Sequence, residues 1–138
     1  MRRAEAAFVR RARVGYLATA DETGEPSSVP FCFAFDGSTL YSPIDEKPKS
    51  RRPTGLKRLE NIRKNPRVCV VVSQYEEDWS RLGHIIIRGR ATILPQGQEH
   101  RDAVRLLRRK YPQYRQMAID ESPIIAIRMM RHTAWGRV

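Results

Sequence analysis

A chain of 138 residues, 41% hydrophobic and 30% charged, is long enough for one folded domain with a single core and too short for two. It has no low-complexity tract, so its composition excludes an intrinsically disordered protein. The 26 Lys and Arg residues exceed the 15 Asp and Glu residues, giving a formal net charge of +11. That charge favours anionic partners: nucleic acid, an anionic membrane surface or a phosphorylated small molecule.

The densest apolar run, VCVVV, is far shorter than the ~20 residues of a membrane-spanning helix, so the sequence predicts no membrane segment. Cys32 and Cys69 lie in strand-like segments outside any CxxC pattern. They are therefore predicted to be buried, reduced thiols, as expected for a cytoplasmic protein. The three histidines are scattered along the chain, which predicts no metal site.

The N-terminal third predicts one helix and three strands. Apolar residues at helical spacing predict a helix at 3–12, and VGYLATA predicts a strand at 14–20. A turn over 21–26 leads to a second strand at 27–36, in which phenylalanines alternate. Pro30 cannot donate to a sheet ladder, so it indicates an edge or a bulge. Asp36-Gly37 predicts a hairpin into a third strand, TLYSPI.

The rest of the chain continues with two helices and three strands. After a basic loop, a helix is predicted from Thr54 to about Asn65, with Leu59 and Ile62 on its buried side. The remaining predicted elements are a central strand at 67–75, a long strand at 84–94 with a bulge or close approach at Gly89, a helix at 97–111 and a last strand at 122–135. The order predicts one domain over residues 1–138. It is mainly β, with six antiparallel strands in a small closed or split barrel and helices at its corners.

Positive charge is concentrated between Lys47 and Arg67, where nine basic residues face a single acid, Glu60. A helix that begins near Gly55 presents free N–H groups and a positive dipole end to an anion. Charge-assisted hydrogen bonds from bases such as Arg58 would add to that attraction. The segment is interpreted as an anion site, and the alternative is a solvated, self-repelling loop.

Two stretches carry a resemblance to a known family. GYLATADETGEPSSVPFCFAFDGSTLYSPID and, after the basic loop, LKRLENIRKNPRVCVVV resemble the split-barrel flavin proteins related to pyridoxamine-phosphate oxidase. The segments YEEDWSRL and HTAW resemble the branch that uses the deazaflavin coenzyme F-420. The resemblance covers nearly the whole chain.

The resemblance implies a homodimer with two cofactor sites at the subunit interface. It also implies cofactor contacts of two kinds. The expected ring contacts are Val29, Pro30, Phe31, Cys32, Ser42, Pro43 and Ile44. The expected phosphate contacts are Lys57 and Arg58, with Lys47, Lys49 and Arg51 as loop candidates. Trp79 is expected either to cover the ring at the interface or to be a plain packing aromatic, and Trp135 is expected to pack onto the barrel end.

The implied function is hydride transfer from reduced coenzyme F-420 to a small organic acceptor. The alternatives are an FMN-dependent split-barrel oxidoreductase and a non-catalytic carrier of the cofactor. FMN relatives often carry an Arg and a Lys in the second strand, and SSVPFCF has neither, which favours the deazaflavin. No catalytic residue is assigned, and the possible proton donors are Tyr41, Ser42 and His84.

Two further groups of arginines have simpler interpretations. The arginine face of the predicted helix 97–111, beside Tyr111 and Tyr114, would suit nucleic acid, although a solvated helix face is favoured. Arg88 and Arg90 are expected either to line the substrate side or to pair with Glu76 and Glu77, and pairing is favoured.

Overall fold

The computed structural model describes residues 1–44 and 54–138. Its three helices are α1 (Arg3–Arg11), α2 (Thr54–Lys64) and α3 (Gln98–Lys110). Its seven strands are β1 (Gly15–Ala20), β2 (Pro26–Phe31), β3 (Ala34–Phe35), β4 (Thr39–Pro43), β5 (Arg67–Gln74), β6 (Gly83–Leu94) and β7 (Ile124–Gly136). Short 3-10 helices occupy Trp79–Arg81, Pro112–Gln116 and Ile119–Glu121. In these ranges no helix is long and apolar enough to cross a membrane.

All seven strands form one antiparallel sheet in the order β2-β1-β5-β6-β7-β4-β3. The strands β2 and β3 lie at opposite edges, yet only Cys32 and Phe33 separate them along the chain. The sheet must therefore curl to bring its edges together, which confirms a mainly β split barrel.

The strand count is seven rather than the expected six because the segment 27–36 is divided at Cys32 and Phe33. Phe31, Phe33 and Phe35 all point into one core cluster, as their alternation predicts. Their partners differ, however: Phe31 lies opposite Gly15 of β1, whereas Phe35 lies opposite Leu40 of β4. One continuous alternation of phenylalanines thus runs through two strands, β2 and β3, at opposite edges of the sheet.

Two hydrophobic clusters lie on opposite sides of the curled sheet. The first fills the half-barrel, where Phe8 and Val9 of α1 and Leu59 and Ile62 of α2 meet the inward residues of the strands. The second lies between α3 and the strands β3, β4 and β7 and includes Leu107. The helices therefore cover the two apolar sides that the sheet cannot bury by itself.

Gly89 marks an irregularity, as its position within a long strand predicted. The register between β6 and β7 shifts between Arg88 and Gly89, and Met130 is the extra residue on β7. A Cβ atom at Gly89 would lie 2.4 Å from the carbonyl oxygen of Arg128. The bulge depends on this close approach, which a residue with a side chain would obstruct.

Candidate functional site

The outward side of strands β2, β1, β5, β6 and β7, called here the outer face, carries apolar and aromatic side chains and, in a neighbouring row, Arg88 and Arg131. One row across it follows from the strand registers and contains Pro30, Tyr16, Val71, Ile86 and Thr133. Tyr16 is 47% exposed, a large value for an aromatic residue in the middle of a strand. An exposed apolar sheet face of this kind indicates a binding surface.

Aromatic rings are concentrated at one end of the outer face. The rings of His84 and Trp135 stack across β6 and β7, with centroids 5.5 Å apart. Trp79, in the 3-10 helix after β5, is 70% exposed, and its indole N–H lies 3.4 Å from the hydroxyl of Tyr75. The exposure of Trp79 and Trp135 offers planar apolar surfaces to a ligand or to another chain.

The basic start of α2 lies near the beginning of β5, at the end of the sheet opposite to Trp79. The side chain of Lys57 is exposed, and its charge is one of the contributions that lower the pKa of Asp21, after the hydrogen bonds from Thr23 and Glu25. The amide of Asn61 donates to the hydroxyl of Thr19 at 3.0 Å and fixes α2 against β1. Lys57 is therefore held beside the β1–β2 hairpin and points into solvent, where an anion can reach it.

One chain does not bring Lys57 and Trp79 together. Lys57 lies near Asp21, which follows β1, while Trp79 follows β5; β1 and β5 run antiparallel, with Ala18 opposite Cys69. The two side chains are thus at opposite ends of β5, whose eight residues span about 25 Å. Within one chain these two side chains therefore do not meet.

The two predicted ring-contact segments flank the place where β3 and β4 stop pairing. That ladder has only the pairs Ala34–Tyr41 and Phe35–Leu40, so residues 31–33 and 42–44 continue beyond it without pairing to each other. Pro30 is exposed, and Val29 and Cys32 are half-buried. Phe31, Ser42, Pro43 and Ile44 are buried within the single chain. The loop candidates Lys47, Lys49 and Arg51 lie outside the described residues.

Lys110 and Tyr111, at the end of α3, form hydrogen bonds to the backbone of Phe33 in the segment between β2 and β3. The sequence did not predict this role. The Lys110 ammonium donates to the carbonyl oxygen of Phe33 at 2.8 Å and lies 4.2 Å from the centroid of its ring. The Tyr111 hydroxyl accepts from the Phe33 N–H and donates to the carbonyl oxygen of Arg13. Burial and, to a lesser extent, the charge of Arg13 lower the pKa of Lys110 to about 8. These residues are 77 positions or more from Phe33 along the chain, so no local pattern could have identified them.

Of the three possible proton donors, His84 is the one on the outer face. Ser42 is buried, and the hydroxyl of Tyr41 donates to Glu99 at 2.7 Å. Burial, with the hydrogen bond to Glu99, raises the pKa of the Tyr41 phenol. Glu99 also forms a two-pronged ion pair with Arg128, so this group of three holds α3 against β4 and β7.

Arg108 of α3 has more contacts within the protein than the sequence suggested, and Arg88 and Arg90 of β6 do not have the partners expected for them. Arg108 of α3 donates to the carbonyl oxygens of Tyr114 and Met117 and pairs with Asp120 at 3.0 Å. The expected pairing of Arg88 and Arg90 with the acids after β5 is wrong for Glu76, which pairs with Arg81 at 3.8 Å. The reason is geometric: the 3-10 helix turns Arg81 back toward the end of β5.

The curled antiparallel sheet with three helices defines a split-barrel protein. Residues 1–135 match the family model described as pyridoxamine 5'-phosphate oxidase. The chain therefore belongs to the pyridoxamine 5'-phosphate oxidase family, a family of split-barrel, flavin-binding oxidoreductases. No curated protein matches the sequence.

Solved structures share the fold at low sequence identity. An FAD-binding protein from Mesorhizobium loti has a TM-score of 0.71 and 23% identity, covering 97% of this chain and 94% of that one. An F420 reductase has a TM-score of 0.65 and 21% identity, with coverages of 92% and 94%. A heme-binding protein from Mycobacterium smegmatis has a TM-score of 0.73 and 19% identity, with coverages of 97% and 54%. This fold therefore accompanies several cofactors, and the likeness alone does not choose among them.

Proposed function

We propose that the protein is an oxidoreductase that uses reduced coenzyme F-420 to transfer hydride to a small organic acceptor. The observation that carries this proposal is the separation of charge in the site. Cations are concentrated at the start of α2, whereas the side chains of residues 26–33 next to the proposed ring site are uncharged. The name of the similar F420 reductase gives the proposal further support.

The described residues fit such a cofactor in two respects. The exposed Lys57 and the neighbouring Arg58 suit a phosphodiester, because charge-assisted hydrogen bonds to phosphate are strong. The apolar row through Pro30 and Tyr16 suits the face of a planar ring. When bound, the coenzyme would supply the hydride, and the protein would orient the ring and exclude water from it.

We also propose that the working form is a homodimer with its sites at the subunit interface. Lys57 and Trp79 lie at opposite ends of β5, so a site that contains both takes one from each copy. The outer face provides an apolar surface through Tyr16, Val71 and Ile86 for the contact between copies. Trp79 of one copy would then cover the ring held beside α2 of the other.

FMN is the second candidate cofactor, and Lys110 favours it. Relatives that hold FMN often carry a lysine at the end of the second strand, and here α3 supplies an amine to the same region, at the carbonyl oxygen of Phe33. A carrier role for either cofactor would need the same binding residues and would differ only in the absence of turnover.

Turnover distinguishes an enzyme that uses coenzyme F-420 from a carrier of it. Purified protein is mixed with reduced coenzyme F-420 and a panel of small electron acceptors, and the absorbance of the oxidised coenzyme is followed. We expect multiple turnovers with at least one acceptor and weaker coenzyme binding in Arg58→Ala. The control variant Arg63→Ala, exposed in the last turn of α2, should behave like the unmodified protein. Tight binding without turnover would support the carrier role, and equal binding by Arg58→Ala would contradict the phosphate contact.

A further inference from the structure

A separate pocket of about 460 Å³ lies between α1, the loop after β5 and the end of β7. Three guanidinium groups line it, from Arg11, Arg81 and Arg137, together with one carboxylate, from Glu76. The methyl groups of Ala4 and Ala7 form part of its wall and leave room for a ligand. None of these residues belongs to the outer face or to the basic start of α2.

The backbone around two of the arginines is held by close packing. A Cβ atom at Gly83 would lie 2.6 Å from the carbonyl oxygen of Arg137, and one at Gly136 would lie 2.2 Å from that of Leu82. The N–H of Arg137 donates to the Leu82 carbonyl at 2.8 Å, and the Gln74 amide donates to the Arg81 carbonyl at 2.8 Å. The backbones of Arg81 and Arg137 are therefore fixed next to each other at the pocket.

The guanidinium groups have few protein acceptors. The Arg81–Glu76 contact of 3.8 Å is longer than a hydrogen bond. Within the described ranges, Arg11 and Arg137 have no ion-pair partner; Arg137 is near Asp78, whose carboxylate accepts from the N–H and hydroxyl of Ser80. The side chains that line the pocket thus include three positive groups and one negative group.

We propose that this pocket binds a small organic phosphate monoester. A phosphate monoester carries close to two negative charges and three acceptor oxygens, which suit an excess of positive side chains and the forked donors of arginine. Inorganic phosphate is small for a pocket of this volume, so an attached organic group would occupy the space beside Ala4 and Ala7. The proposal is independent of the cofactor site, because the two sites share no residue.

Calorimetric titration with glycerol 3-phosphate at low salt tests this proposal, with the melting temperature as a second readout. We expect one saturable site per chain, a higher melting temperature with ligand and weaker binding of inorganic phosphate. Arg11→Gln should bind about tenfold more weakly, because a charge-assisted hydrogen bond is lost. Arg109→Gln, an exposed position on α3 with the same change of charge, should bind normally.

Arg58→Ala separates this pocket from the cofactor site, and it should leave the binding of glycerol 3-phosphate unchanged. Binding that is lost in Arg58→Ala and kept in Arg11→Gln would overturn the proposal, because the phosphate would then occupy the cofactor site. The absence of both saturable heat and thermal stabilisation in the unmodified protein would also overturn it. Arg11 is exposed, so its substitution should not prevent folding, and the melting temperature without ligand verifies this.

Discussion

At the residue scale, the hydroxyl of Tyr111 replaces a missing part of the sheet ladder. It binds the backbone of both Phe33 and Arg13, where the chain passes from one edge of the sheet to the other. Tyr111→Phe should lower the free energy of unfolding by about 1–2 kcal/mol, because a partly buried N–H loses its acceptor. Urea unfolding measures this. Tyr75→Phe is the control, since Tyr75 is 67% exposed and should cost little; equal losses in both variants would contradict this role.

The ion pair of Glu99 gives a second prediction at this scale. Hydrogen bonds from Arg128 and Tyr41 lower the pKa of Glu99 from 4.5 to about 2. A lowered carboxyl pKa adds stability that is present above the unfolded-state value and is lost as the pH falls from about 4.5 toward 2. Unfolding measured at intervals between pH 7 and 2 should show a steeper acid loss for the unmodified protein than for Glu99→Gln. Parallel curves would show that the pair contributes nothing.

At the element scale, the bulge in β7 requires a glycine at the facing position of β6. Gly89→Ala should lower the free energy of unfolding by about 2 kcal/mol or more, because the new Cβ must displace the Arg128 carbonyl at the bulge. Thr92→Ala, at an exposed position of the same strand, is the control. The measurement is urea unfolding of both variants. If Gly89→Ala were as stable as the control, the close approach would not be a constraint.

The elements themselves could be predicted from local patterns, whereas their partners could not. Alternation placed Phe31, Phe33 and Phe35 in one core, and the glycine in β6 indicated the bulge. The division at residues 32–33 was missed, because it arises where the chain changes its partner strand. The contact of Lys110 with Phe33 joins positions far apart in sequence, which no spacing reveals. For the candidate site, the sequence identified residues such as Pro30 and Ser42. It could not predict that Pro30 is exposed and Ser42 buried, because burial depends on the sheet around them.

At the scale of the whole molecule, the outer face should hold two copies together. Light scattering should report about twice the 16.0 kDa chain mass. Tyr16→Asp should produce a folded monomer, because a carboxylate would be buried without a partner in the apolar row shared with Val71. Gln113→Asp, exposed beside α3, should remain dimeric. A stable monomer of the unmodified protein that still binds its cofactor would contradict the two-chain site.

We propose that this split barrel prefers coenzyme F-420 to FMN, and side-by-side fluorescence titrations measure this preference. Both cofactors are titrated into the same preparation of the protein at two salt concentrations. The account predicts tighter binding of coenzyme F-420 and a weakening with salt, because exposed charges such as Lys57 are screened over about 8–10 Å. Tighter binding of FMN, or FMN retained through purification, would contradict it.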